Sequence, residues 1–130
     1  MNRRSVRESL KRMISLIDQV SGDNGCPWVK QQTFKKHFIE FKKEVKELED
    51  AIRNNDKNNL KEELGDVLWD LFTLIWLSEK EYEFKTEEIV DDICDKIIRR
   101  KPYLFGNEKA ETPEEAVKIW KRIKSEEKRN

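Results

Sequence analysis

Two stretches hold acidic side chains at a spacing that could do chemistry. One reads Glu44-Val45-Lys46-Glu47, the other Glu63-Leu64-Gly65-Asp66. In each, two carboxylates stand three residues apart, which on a helix puts them one above the other on one face. If the two helices pack side by side, four carboxylates converge. Four like charges at one point repel strongly unless a cation sits among them. All four donors are hard oxygens, a set that suits Mg²⁺, with Mn²⁺ as a substitute. Mg²⁺ sites of this kind use a few carboxylates together with substrate phosphates, so the pattern points to phosphate chemistry. A di-iron bundle would need Glu-x-x-His pairs, and the one histidine, His37, has no Glu three residues before it. Taken alone, Glu-x-x-Glu is also what any Lys/Glu-rich surface helix presents.

These residues must be positioned by helices, because apolar residues recur at helical spacing almost throughout. Val6, Leu10, Met13, Ile14, Ile17 and Val20 predict a helix over 3–20, ended by the turn residues 21–25. Pro27 implies a non-helical stretch after it. Thr33 caps a second helix with the stripe Phe34, Phe38, Phe41, Val45, Leu48 and Ile52, closed by Asn54-Asn55-Asp56. A third runs from about 58 to 82. Over Val67 to Leu77 only Asp70 and Thr73 are polar, so it should be buried on nearly every side. Trp69 and Trp76 lie away from Glu63 and Asp66; they would meet a second subunit, or else be covered by the first and last helices. A fourth helix opens at Thr86 as cap, turns Ile89, Ile93 and Ile97 to the core, and stops before Pro102. A loop spans 102–112. The last helix starts at Pro113 after Thr112 as cap.

On a 100° step, Glu40, Glu44, Glu47 and Ala51 form one strip bordering the apolar stripe, and Glu63, Asp66 and Asp70 form another. Gly65 costs about 1 kcal/mol in a helix interior, which suggests close backbone approach there. Lys96 and Arg100 share a face four residues apart; they serve either a phosphate or the helix dipole. Trp28 and Trp120 are either stacking platforms for a base or core residues, with packing favoured for Trp28. His37 reads as a surface residue and Cys26 as a packed one.

Composition narrows the classes. The chain has 130 residues and suits a single domain, 1–130. Charged residues make up 42%, against about 25% in an average protein. Yet 27 basic and 27 acidic residues cancel, unlike a nucleic-acid binder or an acidic tail. The two cysteines lack metal-ligand spacing and fit a reduced setting. No signal core or membrane-length apolar run is found, so a cytoplasmic protein with no membrane association is expected.

At these residues the chain resembles the MazG family of nucleoside triphosphate pyrophosphohydrolases. Gly25-Cys26-Pro27-Trp28, followed by Gln32-Thr33, is similar to the family's GCPWDxxQT opening. Glu44-x-x-Glu47 and Glu63-x-x-Asp66 resemble its ExxE…ExxD metal motif. Lys96, Arg99-Arg100-Lys101-Pro102 and Phe105-Gly106 resemble its KxxRRHPHVFG segment, and 120–128 its closing WxxxKxxEK helix. The order of the pieces over 10–128 is more specific than any one of them. Val29 stands where the family has Asp, Lys43 where it has Glu before the first motif glutamate, and Lys101-Pro102-Tyr103 where it has HPH. Glu40, one turn before Glu44, could replace the missing carboxylate.

The resemblance implies an all-α MazG-like bundle whose four-helix core is completed by dimerisation. It implies hydrolysis of a nucleoside triphosphate to the monophosphate and pyrophosphate, clearing surplus or aberrant nucleotides. Glu44, Glu47, Glu63 and Asp66 would be the catalytic metal ligands. Glu47 could take a proton from the attacking water, Lys96 and Arg100 would hold phosphates, and Trp28 or Trp120 would stack on the base. A dedicated dUTP or dCTP pyrophosphatase of the same all-α group and a non-catalytic helical interaction module remain as alternatives.

Overall fold

The computed structural model describes residues 2–129. Every regular element among them is a helix: α1 (Arg3–Ser21), α2 (Pro27–Lys30), α3 (Phe34–Arg53), α4 (Lys57–Tyr82), α5 (Thr86–Arg100), α6 (Pro102–Phe105) and α7 (Pro113–Arg129). They group into two compact units, Met1–Phe84 and Lys85–Asn130. No helix among the described residues is long and apolar enough to cross a membrane.

The first unit is built on the α3–α4 hairpin, with α1 laid against α4 and α2 against α1. Local chemistry sets its ends. The Thr33 hydroxyl accepts from Lys36 N at 3.2 Å, and the Asp56 carboxylate from Asn59 N at 3.2 Å. Between them Asn55 takes φ 51°, a left-handed conformation that asparagine tolerates better than most residues. At the far end Phe34 N donates to Glu81 Oε2 at 2.6 Å, and the Phe34 ring meets Tyr82 edge-on at 5.4 Å. These contacts fix the antiparallel register that decides which side chains face each other at mid-hairpin.

Two proline segments depart from the sequence reading. Pro27 opens the one-turn α2, and Pro102 opens α6 inside the stretch read as loop. Proline lacks only an N–H that a first-turn residue leaves unused, so it seats at the first helical position. Thr86 is the first residue of α5 and not its cap; Lys85 holds the cap position without a side-chain bond, and Glu87 and Glu88 complement the dipole instead. The Thr112 cap forms as expected, accepting from Glu115 N at 3.2 Å.

The expected burial of α4 on every side is not met within this chain. Leu74 and Leu77 are buried, but Leu64, Leu68 and Leu71 form an exposed stripe, while Trp69 and Trp76 are half-buried. On α3, Phe38, Val45 and Ile52 are likewise exposed. So α3 does not turn the whole of its apolar stripe inward. Its most deeply buried positions are His37 and Ala51, at 2% and 1% exposure, on the strip that carries Glu44. Gly65 has open space where a Cβ would stand, so no close approach explains it in this chain.

In the second unit α5 packs on α7. The short α6 also meets α5, yet Ile93 stays half-exposed instead of entering a core. Charge pairs also join these elements. Glu127 accepts from Arg100 Nη2 at 2.8 Å and Arg99 Nε at 3.0 Å, and Arg122 bonds Glu108 at 2.7 Å.

Candidate functional site

The hairpin register brings Glu44 of α3 opposite Glu63 and Asp66 of α4. One carboxylate oxygen from each lies within 4.8 Å of the other two. Glu63 is buried and Glu44 half-buried, whereas Asp66 is exposed, so the cluster is open on one side. Glu44 Oε2 and Glu63 Oε2 are both buried without a hydrogen-bond partner. An orphaned buried acceptor costs about 1–3 kcal/mol, more if charged. The protein's own response is to raise the proton affinity of both carboxyls. Burial first, then the charges of Glu47, Asp66 and Asp70, push Glu44 up to about 7. Burial, then Glu47 and Asp66, also raise Glu63. Glu47 is solvent-exposed, one turn from Glu44, and its charge is felt by both buried glutamates. An all-oxygen donor set with two unsatisfied buried oxygens fits a hard divalent cation.

Glu40 does not join this cluster. Its carboxylate pairs with Lys43 Nζ at 3.3 Å, and its charge acts on His37 and Asp70.

His37 is buried, not on the surface as its lysine-rich neighbourhood suggested. Its Nε2 faces Asp70 Oδ1 at 3.6 Å, and neither ring nitrogen has a hydrogen-bond partner. Burial lowers its pKa against the opposing pull of Asp70 and Glu40. Burial also raises Asp70, opposed by His37. The Trp28 ring stands against His37 at 6.1 Å and 67°, edge to face. Trp28 is itself 51% exposed, so it is not the packed core residue that the sequence reading favoured. Buried Val29 beside it occupies the position of the family's aspartate. The signal for His37 was present in the spacing: it lies seven residues before Glu44, on the same strip.

In the second unit, Arg100 is buried and its guanidinium is held by Glu127 and lies 5.1 Å from the Trp120 ring centre. Lys101 Nζ lies 5.5 Å from the same ring. Lys96 is half-buried one turn before Arg100.

The family model described as the MazG nucleotide pyrophosphohydrolase domain matches residues 31–105, more than half of the chain. The chain belongs to the MazG family. Its motif-based resemblance to that family therefore holds. The crystal structure of a mazG-related protein from Thermotoga maritima superposes with a TM-score of 0.80 at 32% identity, covering 88% of this chain and 98% of that one. The nucleoside triphosphate pyrophosphohydrolase of Escherichia coli K12 is 33% identical over 120 residues. The nucleoside triphosphate pyrophosphohydrolase/pyrophosphatase MazG of Thermotoga maritima is 31% identical over 121 residues. These alignments cover 92% and 91% of this chain but 46% and 45% of the two relatives, so the chain spans under half their length.

Proposed function

We propose that this MazG-family chain, acting as one domain over 1–130, hydrolyses nucleoside triphosphates to the monophosphate and pyrophosphate with Mg²⁺. The observation that carries the reading is that Glu44 and Glu63, which converge with Asp66 across the hairpin, each keep a buried oxygen, Oε2, without a hydrogen-bond partner. Glu44, Glu63 and Asp66 would hold the ion, with Glu47 completing the set from its exposed position. When bound, Mg²⁺ neutralises triphosphate oxygens and acidifies the attacking water.

The chain's own groups supply the rest. Glu47 has solvent access and lies beside both buried glutamates, so it is the carboxylate that accepts a proton from the water. Trp28 offers an exposed indole for the base. Trp120 is the weaker platform, because Arg100 and Lys101 already lie against its ring. Lys96 and Arg100 are assigned to phosphates on the motif alone; Arg100 would exchange Glu127 for phosphate oxygens, which suit its fork equally. The exposed stripe Leu64, Leu68 and Leu71 is the face on which a second copy would complete the four-helix core.

The direct test is Mg²⁺-dependent pyrophosphate release across the ribo- and deoxynucleoside triphosphates, with the products identified. Glu63→Gln should abolish release while circular dichroism still reports a helical fold. A flat panel for the wild type, or a Glu63→Gln protein as active as wild type, refutes the assignment.

A further inference from the structure

The His37–Asp70 pair, beside Trp28, has no part in the chemistry above, and it lies along the same helices as the acidic cluster. His37 and Glu44 are seven residues apart on one strip of α3, which at the helical rise is roughly 10 Å along the axis. That is on the order of the distance from the base to the outer phosphates of an extended nucleoside triphosphate, with the ribose between them. Asp70 stands one turn beyond Asp66 on α4, and its charge reaches Glu44. The nucleoside end of a substrate whose phosphates meet the acidic cluster can thus lie over this group.

We infer that Asp70, held by buried His37, is the hydrogen-bond acceptor that recognises a donor on the nucleoside, a sugar hydroxyl or a base amino group. This deepens the function proposed above and rests on it. His37 is the positioning residue. It is almost wholly buried, both its nitrogens lack partners, and Nε2 points at Asp70 Oδ1 from 3.6 Å. A small closure makes Nε2–H donate to Oδ1, which removes one orphan and fixes the carboxylate's orientation. The Asp70 side chain retains 15% exposure where His37 keeps 3%, so the carboxylate, not the imidazole, meets the ligand. Trp28, packed edge-on to His37 with its own surface open, sets the plane beside which that donor arrives. Carboxylates take this role readily, since an ionised oxygen forms the stronger class of hydrogen bond.

The first arm of the test needs neither metal nor turnover. His37 is the sole histidine, so its imidazole signals in a ¹H–¹³C spectrum report this site alone. Titration of the full chain with ribo-, 2′-deoxy- and 2′,3′-dideoxynucleoside monophosphates, in both cytidine and uridine forms, should shift those signals. Loss of the shift or of affinity on removing a hydroxyl names the sugar as donor; loss on replacing the cytosine amino group names the base. Asp70→Asn should weaken monophosphate binding about tenfold or more. In turnover the same change should raise KM with kcat nearly unchanged. His37→Gln, which keeps a donor, should retain more of the affinity than His37→Leu. Unmoved His37 signals at saturating monophosphate, or unchanged affinity in Asp70→Asn, overturns the inference. So does a kcat loss in Asp70→Asn as deep as that of Glu63→Gln, which would move Asp70 into the metal centre. Monophosphate binding that shifts His37, without pyrophosphate release from any triphosphate, would sink the proposed reaction and leave the nucleoside subsite standing.

Discussion

Magnesium binding should release nearly one proton from Glu44 at pH 6 and almost none from it at pH 8.5. The Glu44 carboxyl is pushed from 4.5 up to about 7 by burial and by Glu47, Asp66 and Asp70. A cation needs the carboxylate, so it must displace that proton. With a pKa of about 7, roughly nine-tenths of Glu44 is protonated at pH 6 and one-tenth at pH 8. Apparent affinity should therefore fall about tenfold between pH 8 and pH 6 from this residue alone. Glu63, raised by the same causes, steepens the fall. The proton also sets the sign of the metal-free protein's stability. Between about pH 4.5 and 7 folded Glu44 keeps a proton that the unfolded chain has lost, so stability declines as pH rises through that window and levels off above it. The rise from 4.5 to about 7 sets a ceiling of about 3 kcal/mol, and water reaching the half-buried group trims it toward about 1 kcal/mol. His37, whose pKa burial depresses, runs the opposite way, so the slope should be read against Glu44→Gln. Calorimetric Mg²⁺ titrations in two buffers of different ionisation heat count the protons, and melts in chelator follow the stability. Equal affinity at pH 6 and 8 with no proton released would refute the reasoning, as would a wild-type stability slope identical to that of Glu44→Gln.

Three further outcomes follow from other parts of the molecule. Glu127 is held down to about 2 by Arg100 and Arg99; its contribution is present above about pH 4.5 and lost as pH falls toward 2. Glu127→Gln should therefore lower Tm at pH 7, with the two melting curves converging near pH 2. Leu68→Glu, on the exposed α4 stripe, should reduce the sedimentation mass to that of a monomer while helical dichroism persists; a wild type that is already monomeric at the same concentration counts against the dimer. Gly65→Ala should stabilise by up to about 1 kcal/mol, because the added Cβ meets nothing within 4 Å. A lower Tm would mean that something outside this chain packs on that spot.

Much of this site was legible as spacing. Of the four spaced acids, Glu44, Glu63 and Asp66 converge once a short Asn-rich turn joins their helices, while Glu47 stays exposed outside that group, and the Thr33 and Thr112 caps were visible as residue types. What the spacing could not decide was which face of α3 meets α4. Amphipathicity identifies side chains that avoid water, not the partner that shields them. Here Phe38, Val45 and Ile52 stay uncovered in the single chain while the acidic strip turns inward. His37 was misread for a related reason. Its neighbours on either side, Lys36 and Phe38, are exposed, and the Trp28 ring that stands against it is carried by a helical turn not expected after Pro27. Both errors concern tertiary neighbours, which no local window contains.

The inward acidic strip makes folding and cation binding one problem. A hairpin selected only for stability would place apolar side chains where Glu44 and Glu63 meet, since each buried oxygen left without a partner costs about 1–3 kcal/mol. The flanks of the same interface do follow that rule, with Ala51 at one end and Leu74 and Leu77 at the other. The penalty is thus confined to the stretch between them, where neighbouring packing holds the carboxylates together despite their repulsion. A ligand that binds only this folded arrangement returns stability as RT ln(1 + [L]/Kd), about 2.7 kcal/mol at a hundredfold excess over Kd. That is comparable to the penalty itself. A change that relieves the repulsion, such as Glu44→Gln, should therefore raise the metal-free melting temperature and abolish the further rise that Mg²⁺ produces. Stabilisation of that variant by Mg²⁺ to the same extent as wild type would mean that the ion binds elsewhere.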